Sequence, residues 1–324
     1  MNQGPKASQL DTGVGVKDAQ HRAGLELREL TWAYESGCFE ALAHRFAVRT
    51  TDLPLGQYLG SLFRHFAVPG FFDGVPLYSV IVREAPSPLP FALYRDTELL
   101  GMFRQGSGLL ARLLWHINQG AIRDTTDHLL VHASAAEWSG ETLIFPAPME
   151  SGKTTLVAGL VQAGFGYVTD EAVAIDPSSL MVTAFPRALS VDPGSWGVLS
   201  GLRPKLEPEL RPYQDDQWQI PPDSIRPGAV ARRSKPRFVI MPRYREGART
   251  RLLPMRRSEA VRVMGDNAFN FQSLGQHGLR VLAGVARRSS CYRLEIGDLD
   301  EACGLVRGLV RRPPTGDGRE DSAS

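Results

Sequence analysis

Cysteine and long apolar runs are both scarce in this sequence of 324 residues. Its three cysteines, Cys38, Cys291 and Cys303, are too few and too scattered for a disulfide framework or a zinc site. So few cysteines are typical of a reducing compartment. There is no run of about 18 apolar residues, and the polar N-terminal segment has no apolar core, so neither a membrane helix nor a signal peptide is predicted. We therefore expect a cytoplasmic protein without a membrane segment.

Net charge and lysine are also low. The formal net charge is +2, whereas a dedicated nucleic-acid-binding protein usually has a clear basic excess, so we expect no nucleic-acid partner. Lysine provides only five of the 37 basic residues, which makes any lysine inside a recognisable motif informative. The 43% of apolar residues is ordinary for a globular protein. The composition is therefore compatible with a globular enzyme or a globular binding protein.

The sequence divides into four segments. Residues 1–25 and 312–324 lack apolar periodicity and are predicted to be disordered tails. Residues 26–128 are predicted to form a small α+β region, in which a helix with apolar residues at 109–117 stops near Gly120. Residues 129–311 alternate strand, loop, helix and strand, the pattern of nucleotide-binding α/β proteins. The predicted fold class is therefore α/β.

The strongest motif follows a short apolar strand, Thr142–Phe145. Ala147–Thr154 matches the phosphate-binding pattern G-x-x-x-x-G-K-[ST] except that alanine replaces the first glycine. In such a loop Lys153 contacts phosphates and the Thr154 hydroxyl binds Mg²⁺. An ordinary Gly-Lys-Thr at a helix start is the alternative, but the preceding strand and following helix favour the P-loop. The predicted nucleotide-binding residues are Ala147, Glu150, Ser151, Gly152, Lys153, Thr154 and Thr155.

Acidic residues follow at the end of the next predicted strand. Asp170 lies 17 residues after Lys153, and Glu171 is its neighbour. Beside bound phosphate, a carboxylate at this place would bind Mg²⁺ or accept a proton from an attacking hydroxyl. The alternative is an acidic pair that caps a turn between two strands. The sequence favours Asp170 as catalytic base and metal ligand, with Glu171 beside it.

These residues together resemble the catalytic domain of the HPr kinase/phosphorylase family. The matching features are Gly152-Lys-Thr-Thr155, the pair Asp170-Glu171, and His132 ahead of the loop. The Gly-Lys-Thr-Thr-Leu string is also similar to ATP-dependent phosphoenolpyruvate carboxykinase, which shares that nucleotide fold. The resemblance covers residues 129–176 well, and 177–311 weakly. It implies a P-loop kinase-like domain over 129–311 and a catalytic role for His132.

Departures from that family concern the substrate. Thr155 stands where the family usually has an acidic residue, Glu171 replaces the second aspartate of the family's pair, and 185–191 lacks its glycine-rich signature. The chain thus resembles divergent HPr-kinase-related proteins, some similar to peptide-modifying kinases of lasso-peptide pathways. Arg187, within 185–191, is a candidate for contact with the transferred phosphate.

Two later segments carry weaker signals. Residues 201–229 are rich in proline and polar residues and are predicted to form a long surface loop. Residues 226–257 contain eleven basic residues and one acid, and are predicted to form a basic hairpin. This hairpin is either a solvated surface or a contact for phosphate or an acidic peptide.

The sequence therefore predicts an ATP- and Mg²⁺-dependent kinase for a Ser or Thr hydroxyl of a protein or peptide. Two alternatives remain open: a nucleotide-gated binding module, and an NTPase that uses water as acceptor. Homo-oligomerisation is also left open.

Overall fold

A computed structural model of the protein describes residues 27–70, 74–83 and 87–311. The described chain is a mixture of helices and several sheets, which confirms the α/β class. Both predicted tails, 1–25 and 312–324, lie outside the described residues. Within the described ranges, no helix combines the length and apolar character needed to cross a lipid bilayer.

The elements are named here in chain order. The helices are α1 (Leu53–Leu62), α2 (Gly106–Asp124), α3 (Lys153–Gln162), α4 (Pro222–Ile225), α5 (Arg257–Asp266), α6 (Phe271–Arg288) and α7 (Leu299–Val310). The strands are β1 (Tyr34–Glu35), β2 (Phe39–Ala41), β3 (His44–Thr50), β4 (Leu77–Val82), β5 (Phe91–Arg95), β6 (Glu98–Phe103), β7 (Leu129–Trp138), β8 (Glu141–Pro146), β9 (Gly166–Thr169), β10 (Ala172–Ile175), β11 (Val182–Thr183), β12 (Leu189–Val191), β13 (Trp218–Ile220), β14 (Lys235–Tyr244), β15 (Arg251–Pro254) and β16 (Ser290–Ile296).

Strands β1 to β6 form a six-stranded sheet in the order β1-β3-β4-β5-β6, with β2 paired to β3. The Asp52 side chain caps α1 by accepting a hydrogen bond of 2.7 Å from the Leu55 N–H. Helix α2 is longer than its predicted core and buries one face, including Leu109, Leu113 and Ile117, against this sheet. We call this part the first region.

The predicted stop of α2 at Gly120 is wrong, since the helix runs on to Asp124. A Cβ atom at position 120 would lie 2.5 Å from Nε2 of the buried His44. Glycine is therefore present here because α2 approaches β3 closely, and not because the helix ends.

The second sheet has eight strands in the order β11-β10-β7-β8-β14-β16-β15, with β9 paired to β7. Strands β8, β14 and β16 are parallel, so their carboxyl ends lie at one edge of the sheet. Helices α3 and α7 pack on one face of this sheet, and α5 and α6 on the other. We call this three-layered part the second region.

The predicted basic hairpin within 226–257 is wrong. Strands β14 and β15 are not paired with each other, because β16 lies between them, parallel to β14 and antiparallel to β15. Strand β16, which follows β15 by 35 residues in the sequence, pairs with both β14 and β15. Of the arginines in 226–257, only Arg237, Arg243 and Arg251 lie in these strands, and the others lie in loops or at the start of α5.

The predicted surface loop at 201–229 is also wrong in part. It contains 3₁₀ turns, β13 and α4, and β13 pairs with β12. Trp218 is buried and stacks on Trp196 with ring centroids 4.9 Å apart, and Tyr213 is buried as well. The aromatic side chains of this proline-rich segment draw it onto the core.

The two regions share buried surface. Phe185 of the second region stacks on Phe66 of the first, with ring centroids 5.6 Å apart, and both lie in the hydrophobic cluster that fills the first region. Tyr213 joins the same cluster. The boundary predicted between residues 128 and 129 stays a prediction.

Candidate functional site

The loop between β8 and α3, residues 147–152, turns sharply because two of its residues have left-handed backbone conformations. Gly152, directly before α3, has φ of 87°, and Glu150 has φ of 61°. Positive φ is easy for glycine, but a glutamate pays steric strain of about 1–2 kcal/mol there. Strained residues of this kind cluster at functional loops.

Lys153 begins α3, but its side chain turns back into this loop. The ammonium donates hydrogen bonds to the carbonyl oxygens of Ala147 at 2.8 Å and Pro148 at 2.6 Å. The residue is only 7% exposed. Burial lowers the pKa of Lys153 to about 8, although the negative charges of Glu171 and Asp170 oppose that shift. Among the described residues no carboxylate lies within salt-bridge distance of this ammonium: its hydrogen bonds go to neutral carbonyls, and Glu171 and Asp170 act on it only at longer range.

The residues around Lys153 fix the start of α3. The Ser134 hydroxyl of β7 donates to the Lys153 carbonyl oxygen at 3.3 Å, and the Thr155 and Ser195 hydroxyl oxygens are 2.6 Å apart. Ser151 accepts from the Tyr244 N–H at its carbonyl, while its own hydroxyl is buried without a partner. Buried hydroxyl groups are normally hydrogen-bonded, so the Ser151 hydroxyl is available to a partner from outside the protein.

Asp170 lies in the turn between β9 and β10 and is almost completely enclosed, with 1% of its side chain exposed. Its Oδ1 accepts from the Tyr167 hydroxyl at 3.0 Å and from the Arg187 guanidinium at 3.2 Å. Its Oδ2 accepts from the Ser190 N–H at 3.1 Å. Burial raises the pKa of Asp170, and the charge of Arg187 opposes that rise. Both carboxylate oxygens are therefore engaged inside the protein.

Arg187 joins the two acidic residues. Its Nη1 also lies 3.3 Å from Glu171 Oε2, and its Nη2 donates to the Ser190 hydroxyl at 2.5 Å. Burial acts to lower the pKa of Arg187, but the carboxylates of Asp170 and Glu171 outweigh it and the pKa is raised. The guanidinium is thus firmly charged and held in one position.

Glu171 and His132 form the accessible side of this cluster. The His132 Nδ1 atom donates to the Glu171 carbonyl oxygen at 3.1 Å and lies 3.6 Å from Glu171 Oε1. The Glu171 side chain is 28% exposed and that of His132 20%. Burial lowers the pKa of His132, and the nearby carboxylate of Glu171 opposes this. A neutral imidazole with its proton on Nδ1 satisfies the contact with the carbonyl oxygen.

The sheet explains why residues distant in sequence meet here. His132 of β7 stands opposite Ala172 of β10, and Ala135 of β7 opposite Thr169 of β9, so the 170–171 turn lies beside the amino-terminal half of β7. Strand β8, also paired to β7, brings in the 147–152 loop. The predicted residues of the loop, the acidic pair and His132 are thereby brought to one edge of the sheet. Their assigned roles stay predictions.

The donor atoms present fit Mg²⁺ only in a limited way. No group of three or more His, Cys, Asp or Glu side chains in the described residues is arranged to bind a metal ion. Mg²⁺ often needs no such cluster, since it takes one or two protein oxygens together with substrate phosphates. The Thr154 hydroxyl is the oxygen suited to this, whereas both carboxylate oxygens of the predicted ligand Asp170 are already hydrogen-bonded.

Arg187 was a sequence candidate for contact with phosphate, a role that stays a prediction, and its ion pairs with the acidic residues were not foreseen. Tyr167 and Ser190 were not singled out at all. Tyr167 stands three residues before its partner Asp170, whereas Ser190 contacts it from 20 residues further on, so only folding reveals that contact. Comparison with models of known protein families gives no match, and neither does comparison with curated proteins. Functional assignment therefore depends on the residues themselves.

Proposed function

We propose that this protein is an ATP-dependent phosphotransferase with an HPr-kinase-like fold over 129–311, which phosphorylates a Ser or Thr hydroxyl of a protein or peptide. The observation that carries the proposal is the Lys153 ammonium, which is buried inside a strained loop and hydrogen-bonded to the carbonyls of Ala147 and Pro148 instead of being paired directly with a carboxylate. A buried cation without an acidic partner is costly, and an anion that enters the loop offsets that cost.

The anion that suits this loop is a polyphosphate. The loop leads directly into the amino end of α3, where free backbone N–H groups and the helix dipole favour negative charge. Lys153 supplies a full positive charge at the same place, and Thr154 supplies a hydroxyl. The Ser151 hydroxyl, buried and unpartnered, is a further donor for phosphate oxygen. Nucleoside triphosphate is the common ligand with this chemistry.

Mg²⁺ would be held by the Thr154 hydroxyl and the phosphates themselves. When bound, it neutralises part of the charge on the phosphates. The protein groups then position the reactants and stabilise the charge of the transferred group, which is the main protein contribution in phosphoryl transfer.

A hydroxyl acceptor is favoured over simple nucleotide binding because of the acidic cluster. A nucleotide-gated binding module needs the phosphate loop, but has no use for a fixed network of Asp170, Glu171, Arg187 and His132 beside it. Such a network can orient a hydroxyl and take its proton. An NTPase would place water there instead of the hydroxyl.

The test is transfer of phosphate to peptide. The protein is incubated with MgATP and Ser- or Thr-containing peptides encoded by neighbouring genes, and mass spectrometry looks for a gain of about 80 Da, the mass of one added phosphoryl group. The Lys153→Met variant should give no adduct. The matched control is Lys235→Met, an exposed lysine at the opposite end of the parallel strands, and it should transfer normally. ATP binding without any adduct would favour the binding module, and phosphate release without adduct the NTPase.

A further inference from the structure

The two acidic neighbours in the 170–171 turn differ in what they are free to do. The two carboxylate oxygens of Asp170 accept three hydrogen bonds, from Tyr167, Arg187 and Ser190. The Asp170 side chain is only 1% exposed. A substrate hydroxyl would have to displace one of these donors and enter a closed space. Asp170 therefore lacks both a free oxygen and a path for the hydroxyl.

Glu171 has both. Its side chain is 28% exposed, and among the described residues its carboxylate is within salt-bridge distance only of Arg187, through Oε2, and His132, through Oε1. The Oε1 contact is 3.6 Å, longer than a hydrogen bond, so this oxygen retains room for another donor. The shorter bond from the imidazole, 3.1 Å, goes to the Glu171 backbone carbonyl and fixes the residue rather than the carboxylate.

From this arrangement we propose that Glu171 is the group that takes the proton of the acceptor hydroxyl, that His132 holds Glu171 in place, and that Asp170 is a positioning residue. The inference rests on the proposed function and deepens it. It reverses the roles that the sequence assigns to the two acids, because there Asp170 occupies the base position.

The proposed step transfers the γ-phosphoryl group of ATP to the acceptor hydroxyl. The acceptor oxygen forms a bond to the γ-phosphorus of ATP, and the bond from that phosphorus to the β–γ bridging oxygen breaks, so that ADP leaves. The proton of the acceptor hydroxyl passes to Glu171 Oε1. Arg187, itself bound to Asp170, contacts Oε2 at 3.3 Å, while Oε1 has no hydrogen bond among the described residues.

The positioning role of Asp170 follows from its contacts. Its carboxylate balances a guanidinium with 9% side-chain exposure, and that guanidinium also contacts Ser190, whose hydroxyl donates to Gln219 at 3.0 Å. Asp170 thus acts on the site through Arg187, at one remove from the substrate. Its substitution should disturb the geometry of Glu171 without removing the proton acceptor.

The test compares two isosteric variants in the peptide transfer assay. Glu171→Gln should lose about a hundredfold or more in kcat, the scale of a lost general base, with nucleotide affinity changed far less. Asp170→Asn should lose about tenfold or less and keep the parental pH–rate profile. Chemical rescue then separates the roles: formate should restore transfer in Glu171→Ala, because a small carboxylate can reach this half-exposed position, and should do nothing in Asp170→Ala.

Several results would overturn the assignment. One is Glu171→Gln transferring at the parental rate, and another is a folded Asp170→Asn protein that loses a hundredfold or more. If the Asp170 variants do not fold, formate rescue decides, and its failure in Glu171→Ala counts against the proposal. Absence of transfer by the parental protein would overturn the proposed function and this inference with it, whereas normal transfer by Glu171→Gln overturns the inference alone.

Discussion

The two regions of this protein differ in the charged side chains that they bury. In the described part of the first region, residues up to 128, every buried side chain is apolar or neutral, apart from His44. In the second region Lys153, Asp170 and Arg187 are all buried, and all three lie near one edge of the eight-stranded sheet. His44 has its Nδ1 atom 2.6 Å from an Asp124 oxygen, and that aspartate is one-third exposed, so even this pair reaches solvent.

This difference separates packing from chemistry. The first region gains stability mainly by burying apolar surface. The second region bears the desolvation cost of three charges, which an apolar core of the same volume would avoid. Charges retained at such cost are characteristic of functional sites. The comparison predicts that substitutions in the two regions have different consequences.

The largest effect on stability is expected at Arg187. Arg187→Met leaves Asp170 buried without its charged partner, and loss of one member of a buried pair costs about 3–5 kcal/mol. In the first region, Asp124→Asn should cost only about 1 kcal/mol, because the pair with His44 is partly exposed. Urea denaturation of both variants gives the two free energies of unfolding. Equal losses would remove the contrast between the regions.

A double variant isolates the pair from its surroundings. Asp170→Asn combined with Arg187→Met removes both charges, so its loss of stability should be clearly smaller than the sum of the two single losses. Additive losses would mean that the two side chains contribute independently.

The next effect concerns packing in the first region. Gly120→Ala should destabilise by about 1–3 kcal/mol, because the new methyl group would meet the buried His44 ring at 2.5 Å. Gly108→Ala in the same helix is the matched control, since its nearest neighbour is a Phe103 carbon at an ordinary 3.6 Å. That control should be neutral or stabilise by up to about 1 kcal/mol through helix propensity. Thermal unfolding of both variants measures the two changes in stability. A stabilised Gly120→Ala protein would contradict the close approach of α2 to β3.

A smaller, graded effect is expected from pH. The pKa of Lys153 is lowered to about 8 by burial, and bound phosphate should raise it. Affinity for ATP should therefore be full below pH 8 and fall as pH rises above it, by at most about tenfold per pH unit for one linked proton. Lys153→Arg keeps its charge throughout this range, so its affinity should be flat with pH. A flat profile in the parental protein would separate Lys153 from phosphate binding.

Much of the fold was predictable because local pattern determined it. The strand Thr142–Phe145 before the 147–152 loop was predicted near its observed bounds, and the helix after the loop and the strand that leads to Asp170 were predicted as elements; the structure confirms all three. What failed depends on distant parts of the chain. The hairpin failed because β16 inserts between β14 and β15. The stop at Gly120 failed because contact with His44, 76 positions away, was invisible in the sequence.

The site shows the same limit. The loop and the acidic pair could be picked out from the sequence because their residue types and spacing match a known phosphate-binding pattern, while their function stays a proposal. Which acid is free was not predictable. That depends on Arg187 and Ser190, which reach Asp170 from 17 and 20 residues away and close it off, while Glu171 remains half-exposed.

The most direct test of the central claim is the binding of ATP at Lys153. Isothermal titration of the parental protein, Lys153→Met and Lys235→Met with a non-hydrolysable ATP analogue and Mg²⁺ measures the contribution of one buried charge. We expect saturable, Mg²⁺-dependent binding that weakens by about 1.5–3 kcal/mol in Lys153→Met, the range for a charge-assisted contact, and stays unchanged in Lys235→Met. Equal affinity in all three proteins, or no binding by the parental protein, would contradict it.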